Sequence, residues 1–130
     1  MCLSNGNADG LGKIREKELE ASANYLGFNE VDIIDVPELA DGMKSYWDPK
    51  IVAKHVSEYL KGKQGENEIT FIVTFDEHGV SSHPNHIATH KGVAKVFEEG
   101  KFVFDILALF SVNILRKYLF YADICNCYHD

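Results

Sequence analysis

The stretch that decides the fold is Thr74-Phe75-Asp76-Glu77-His78-Gly79-Val80-Ser81-Ser82-His83-Pro84-Asn85-His86. An apolar run over residues 69–75 leads into a polar loop with one glycine and two serines, and a helical pattern begins at the end of that loop. Strand, polar loop and helix start is the order in which open α/β sheets build their ligand sites. The sequence therefore predicts a site at the end of this strand, formed by His83 and His86.

Two interpretations of this histidine pair are open. Imidazoles at the end of a strand can bind a metal or act as acid and base toward a substrate. Alternatively, His83 caps the following helix and His86 is a solvated residue of its first turn. The His-x-x-His spacing does not separate the two, but the preceding strand and Pro84 inside the motif favour a site.

Outward from this stretch, strand and helix patterns alternate along the chain. Strands are predicted at residues 2–4, 31–36, 69–75 and 102–112, where short apolar or β-branched runs occur. Helices are predicted at 13–26, from Pro49 to a break at 62–66, at 84–97 and at 113–122, with Asp48 capping the second. The first helix should have one apolar face formed by Ile14, Ala21 and Tyr25 and widened by Leu19, Ala23 and Leu26. The third should have Ile87, His90, Ala94 and Phe97 along one side. Such alternation predicts an α/β fold with a mainly parallel sheet.

The bulk properties fit one globular domain. The chain has 130 residues, of which 45% are hydrophobic and 25% charged. Its net charge of −7 argues against a general nucleic-acid-binding protein, which needs a basic face to contact phosphates. Its three cysteines do not form a disulfide framework. The longest apolar run, near residues 102–112, is too short to span a membrane.

Three blocks of sequence carry a family resemblance. Residues 75–86 read Phe-Asp-x-x-Gly-Val-Ser-x-His-x-Asn-His, which resembles the second signature of the N-acetylglucosaminyl-phosphatidylinositol de-N-acetylase family. Blocks at residues 2–19 and 111–118 agree with it, in the family's order. The last block is more similar to the eukaryotic, glycolipid-anchor branch of these LmbE-like deacetylases than to the bacterial thiol-sugar enzymes.

The resemblance implies a Rossmann-like three-layer α/β/α fold whose first strand lies at the centre of the sheet. The family's first signature, His-Pro-Asp-Asp-Glu, follows that strand, and it does not occur in this sequence. We therefore expect residues 1–130 to be a single LmbE-like domain that lacks its N-terminal portion and its first, central strand. The strands at residues 2–4 and 69–75 should then flank a gap or pair directly.

The resemblance also implies a reaction and roles for four residues. The reaction is zinc-dependent hydrolysis of the N-acetyl group of N-acetylglucosaminyl-phosphatidylinositol, the second step of GPI-anchor biosynthesis. By position, His86 is a zinc ligand, His83 a catalytic group, and Arg15 a substrate-binding residue near the sugar or phosphate. Asp76 would orient one of the histidines by a hydrogen bond. The first signature supplies two of the three protein zinc ligands and the aspartate base, so the zinc site is expected to be incomplete.

Plainer interpretations stand beside these roles. Arg15 could be a solvated arginine of a first helical turn, and Asp76 a loop-capping aspartate. His90 and His78 fit surface histidines better than ligands, and Trp47 fits a loop tryptophan closing over the core better than a wall for the sugar.

Partners and location follow from the resemblance as expectations. The substrate would be a glycolipid at a membrane surface, on the cytoplasmic face of the endoplasmic reticulum, without a transmembrane span in this chain. Two alternatives remain: a catalytically inactive remnant of the family, or a metal-free sugar-phosphate binding module.

Overall fold

The computed structural model describes residues 1–63 and 71–112. In this part, three long helices and two strands alternate, with one short helical turn before the last helix. The elements are α1 (Gly12–Leu26), α2 (Pro49–Lys63), β1 (Phe71–Phe75), the turn α3 (Gly79–Ser82), α4 (Pro84–Glu98) and β2 (Asp105–Leu109). The helix predicted at 113–122 lies outside the described residues.

The ends of the helices lie where local chemistry predicts them. Helix α1 ends at Gly27, whose φ of 77° is the left-handed conformation that glycine adopts at low cost. Helix α2 begins at Pro49, and the Asp48 carboxylate accepts a hydrogen bond of 2.8 Å from the backbone N–H of Lys50. The break predicted at 62–66 is wrong at Gly62, because α2 continues through that residue to Lys63.

Strands β1 and β2 form a parallel pair joined through α4. The register aligns Phe71 with Asp105 and Phe75 with Leu109. One face packs inward through Ile72 and Ile106. Alternate residues point away from this core, and Val73 keeps 56% of its surface exposed. This second face is not covered by a helix in the described part of the chain.

Helices α2 and α4 pack against each other and supply most of the core, and α4 also packs against β1. The side chains with the least exposed surface are Leu39, Val52 and Val96. The predicted side of α4 is displaced: Phe97 is half-exposed, whereas the neighbouring Val96 is buried. The core of buried hydrophobic residues consists of Leu3, Leu39, Trp47, Val52, Ala53, Val56, Leu60, Ala88, Val93, Val96 and Phe104.

Helix α1 contributes little to this core. Its predicted inner face is open, since Ile14 is 56% and Tyr25 91% exposed, and its buried residues are Gly12 and Ala23. Of the predicted face, Ala23 is buried and the rest is not, and the turn at Asn7–Asp9 is the main described element that α1 contacts. Neither α1 nor any other described helix is both long enough and apolar enough to cross a membrane.

The α/β class and parallel pairing are confirmed, but the single four-stranded sheet is not. The predicted strands at 2–4 and 31–36 reduce to one parallel bridge between Cys2 and Ile33. Pairing stops there because Asp35 has a φ of 44°, outside the extended region, and Pro37 follows. No bridge joins the Cys2 segment to β1 in the described residues, and both line one cleft.

Candidate active site at the end of the first strand

A cleft of about 440 Å³ lies at the C-terminal end of β1. Three parts of the chain meet there: the N-terminal segment with α1, the loop before α2, and the β1–α4 connection. The lining residues are Met1, Cys2, Leu3, Ser4, Gly6, Arg15, Asp41, Trp47, Phe75, His83, Asn85, His86 and Thr89. The structure thus brings Arg15 into one site with His83 and His86, although Arg15 lies far from them along the chain.

His83 occupies the N-cap of α4. Its Nδ1 accepts a hydrogen bond of 3.3 Å from the backbone N–H of Asn85. An acceptor nitrogen carries no proton, so the neutral ring holds its proton on Nε2. His83 is therefore both a cap, as its plainer interpretation proposed, and a hydrogen-bond donor through Nε2.

His86 has the opposite proton arrangement. Its Nδ1 lies 3.1 Å from the backbone oxygen of Gly79. A carbonyl oxygen can only accept, so Nδ1 carries the proton and Nε2 keeps a lone pair. The ring stacks on Phe75 at 4.0 Å between centroids, which fixes its plane. Its centroid lies 5.0 Å from that of His83, so one small group could contact both rings.

Arg15 reaches the cleft from the first turn of α1. Its guanidinium lies between two carboxylates, with Nη1 3.7 Å from Asp41 and Nη2 3.6 Å from Asp9. These ion pairs are longer than hydrogen bonds, and 41% of the arginine side chain is exposed, so an anionic ligand could displace them. Gly6 makes room for this side chain, because a Cβ there would lie 2.9 Å from Arg15 Cδ.

Sequence reasoning missed Asp41, which connects the two sides of the cleft. One carboxylate oxygen faces Arg15, and the other accepts a hydrogen bond of 3.0 Å from the Asn85 amide. Asn85 is only 3% exposed, and its Oδ1 has no hydrogen-bond partner among the described residues. No sequence signal marks Asp41, which is one of several acidic residues in a loop without a motif.

Asp76 holds the β1–α4 loop rather than a histidine ring. Its carboxylate accepts hydrogen bonds of 2.6 Å from both the backbone N–H and the hydroxyl of Ser111. It also accepts from the backbone N–H groups of His78 and Val80. Of its two interpretations, the structure shows the loop-capping one, and no hydrogen bond joins it to His83 or His86 in the described residues.

The loop that Asp76 holds is strained. Val80 and Ser82 have φ values of 60° and 59°, a region that β-branched residues rarely adopt. The loop also contains the Gly79 carbonyl that binds His86. Asp76 can therefore affect His86 only indirectly, through the backbone of this loop.

Ser111→Ala should raise the pKa of Asp76. The Ser111 hydroxyl, foremost, and the loop amides lower the pKa of this carboxyl from 3.8 to about 2. Because the folded-state pKa is depressed, its stabilising contribution is present above pH 3.8 and is lost as the pH falls through about 2. In the variant, the pKa should return toward 3.8, measured by NMR titration of the Asp76 carboxyl carbon.

Ser81→Ala is the matched control for this titration. Ser81 is an exposed serine of the same loop with no described bond to Asp76. An Asp76 pKa that stays near 2 in Ser111→Ala, or rises equally in the control, would contradict this assignment.

Three other residues that the sequence analysis named, His90, His78 and Trp47, have the following contacts. His90 Nδ1 is 2.9 Å from the Phe75 carbonyl oxygen, and His78 is an exposed loop residue beside Glu77. Trp47 is buried, its indole N–H donates to the Ala40 carbonyl, and it also lines the cleft. Within residues 1–63 and 71–112, no group of three His, Cys, Asp or Glu side chains could hold a metal ion.

These features define an α/β domain with a histidine-containing cleft at the end of a parallel strand. Comparison with known sequences identifies the class further: residues 1–97 match the family model described as PIG-L: GlcNAc-PI de-N-acetylase. The chain belongs to this family.

Curated relatives agree with the family match. The chain is 45% identical over 125 residues to the probable N-acetylglucosaminyl-phosphatidylinositol de-N-acetylase of Schizosaccharomyces pombe, covering 95% of this chain and 48% of the relative. It is 39% identical over 128 residues to the Bos taurus N-acetylglucosaminyl-phosphatidylinositol de-N-acetylase, covering 95% and 49%. The chain thus spans about half the length of these relatives. No solved structure gives a significant match.

Proposed function

We propose that this chain forms part of the active site of an N-acetylglucosaminyl-phosphatidylinositol de-N-acetylase of GPI-anchor biosynthesis. The observation that carries the proposal is the pair of histidines with opposite proton arrangements, held with Arg15 in one cleft of a chain of this family. In the reaction, water adds to the acetyl carbonyl and the C–N bond breaks. Acetate leaves, and the amine of glucosamine takes up a proton.

His83 is proposed as the catalytic group. With Nδ1 occupied by the helix cap, its Nε2–H can donate to the oxygen of the acetyl group as negative charge develops there. To give a proton to the leaving amine, the ring must first take one up on Nδ1, which releases its hydrogen bond from the Asn85 backbone N–H. Because the cap fixes the ring at the start of α4, the donor is oriented before the substrate binds.

His86 is proposed as one ligand of a zinc ion. Donation from Nδ1 to a backbone carbonyl is the arrangement that metal-binding histidines commonly show, since it orients the ring and leaves Nε2 to bind the metal. A catalytic zinc site takes three protein ligands, and the described residues do not supply such a set. The other ligands would therefore come from outside the described residues, and no catalytic step is assigned to the metal.

Arg15 is proposed to bind the phosphate or sugar of the glycolipid by exchanging its long ion pairs for contacts to the substrate. A phosphatidylinositol substrate resides in a membrane. We therefore place the protein at a membrane surface, on the cytoplasmic face of the endoplasmic reticulum.

The proposal that residues 1–130 supply too few zinc ligands is tested by comparing two proteins. The first is residues 1–130, and the second is the same chain extended at its N-terminus by a segment carrying His-Pro-Asp-Asp-Glu. The short chain should bind less than one equivalent of zinc and release no measurable acetate from N-acetylglucosaminyl-phosphatidylinositol. The extended protein should bind one equivalent of zinc and release acetate. Stoichiometric zinc and turnover by the short chain would contradict the incomplete site.

In the extended protein, His86→Ala should remove zinc and activity together. His90→Gln is the matched control, because His90 lies one turn later on α4 and its amide replacement can still donate to Phe75. Zinc retained at full stoichiometry in His86→Ala would exclude this histidine as a ligand.

A second candidate is a metal-free module that binds sugar phosphates. The lack of a three-ligand group among the described residues, beside a half-exposed arginine, favours it. It predicts that the short chain binds the glycolipid equally with and without a chelator, and that Arg15→Gln abolishes this binding.

A further inference from the structure

A second concave surface, unrelated to the cleft, runs between α2 and α4. It encloses about 410 Å³, within the range of small-molecule sites. Five lysines line it against two glutamates, a local net charge of +3 on a chain whose total is −7. The lysines are Lys50, Lys54, Lys61, Lys95 and Lys101. We call this surface the lysine groove.

The lysine groove is built by helix geometry. Lys50, Lys54 and Lys61 repeat at helical spacing along one side of α2, with Ser57 between them. Lys95 stands opposite, on the last turn of α4, and Lys101 follows that helix. Since α4 begins at the catalytic cleft and runs for 15 residues, the groove lies about 20 Å from His83 along the helix axis.

Each of the two glutamates of the groove lies near a basic side chain. Glu99 pairs with Lys101 at 2.8 Å, and Glu58 lies 3.8 Å from His55. The pKa of Glu99 is lowered chiefly by its hydrogen bond from Lys101, with smaller contributions from Lys95 and Lys61. One carboxylate is therefore shared by three lysines, and positive charge remains in excess across the groove.

We propose that the lysine groove binds a soluble anion carrying two or more phosphate groups. Ammonium groups contributed from both sides of the groove suit a ligand with several separated negative charges, and Ser57 adds a hydroxyl. A membrane surface fits less well, because interfacial binding combines cationic residues with apolar side chains that insert. None of the exposed large hydrophobic residues of the described chain lines the groove.

Titration of residues 1–130 with inorganic tripolyphosphate tests this site. Calorimetry should show one saturable site that weakens as salt increases, and the amide NMR signals of Ala53 and Ser57 should shift. Lys54→Gln/Lys95→Gln should weaken binding by about tenfold, because it removes two of the facing ion pairs. The matched control is Lys17→Gln/Lys91→Gln, which removes the same charge from exposed lysines outside the groove and should leave the affinity unchanged.

Three results would overturn the proposal. One is the absence of saturable binding, and another is an equal loss of affinity in the control, which would mean attraction to overall charge. The third comes from vesicles of phosphatidylcholine with phosphatidic acid: groove-dependent binding to these vesicles without binding of tripolyphosphate would assign the groove to a membrane surface. Circular dichroism of both double variants checks that the helices remain folded.

Discussion

His83→Asn in the zinc-loaded, extended protein is expected to leave bound zinc unchanged and slow acetate release by about 10²–10⁴-fold. Asparagine is a good N-cap residue, so it can replace the contact that His83 makes with the Asn85 backbone N–H. It cannot supply a titratable group at the position of Nε2. The variant therefore separates the proton chemistry of His83 from its capping of α4. Zinc content and kcat are measured on the same preparation.

His83→Ala completes this comparison. It should lose a similar factor in kcat and, in addition, about 1 kcal/mol of stability, because the cap is also removed. His78→Ala is the control, since that histidine is exposed in the same loop and does not line the cleft. A His83→Asn variant of full activity, or one that loses its zinc, would remove His83 from the catalytic role proposed here.

What the sequence could predict was mostly local. Pro49, Asp48 and Gly27 act on their immediate neighbours, so the C-terminal end of α1 and the start of α2 could be predicted from the sequence. The motif around His83 was placed correctly at the end of a parallel strand because strand, loop and helix are consecutive there. The roles of His83, His86 and Arg15 remain predictions.

What it could not predict depends on contacts between distant segments. Asp41 contacts Arg15 and also Asn85, which lies 44 residues further along the chain, and nothing in its loop distinguishes it from other acidic positions. Two of the four hydrogen bonds that Asp76 accepts come from Ser111, 35 residues away, and sequence neighbours of Asp76 could not indicate that contact. Periodicity also overestimated the sheet, since it indicates extended backbone without showing which strand is the neighbour.

The inner side of α4 illustrates the same limit with a glycine. Helical spacing suggested a stripe through Ile87, Ala94 and Phe97, but the buried stripe includes Ala88, Gly92 and Val96. A glycine contributes nothing to a hydrophobic pattern, so a helix face that depends on one is easily missed. Gly92 matters because it lacks a side chain: it lets α4 lie against Val52 of α2.

Gly92→Ala should destabilise the fold by about 3 kcal/mol. A Cβ at this position would lie 2.3 Å from Val52 Cγ1, 2.6 Å from Val52 Cβ and 3.2 Å from the backbone nitrogen of Ala53. Val52 is β-branched and fully buried, so its side chain cannot turn aside and the two helices must separate. The loss is a large share of the 5–15 kcal/mol typical of a domain, and urea unfolding followed by circular dichroism measures it.

Gly62→Ala supplies the matched comparison for this prediction. Gly62 is also helical, but beyond its own helix no atom of the described residues lies within 4 Å of a Cβ built there. Both substitutions gain the same advantage of alanine over glycine in a helix, about 0.5–1 kcal/mol, so Gly62→Ala should be neutral or slightly stabilising. The difference between the two variants then isolates the contact between α2 and α4. If Gly92→Ala unfolds at the same urea concentration as Gly62→Ala, the helices do not approach each other as closely as described, and the core between them must be rearranged.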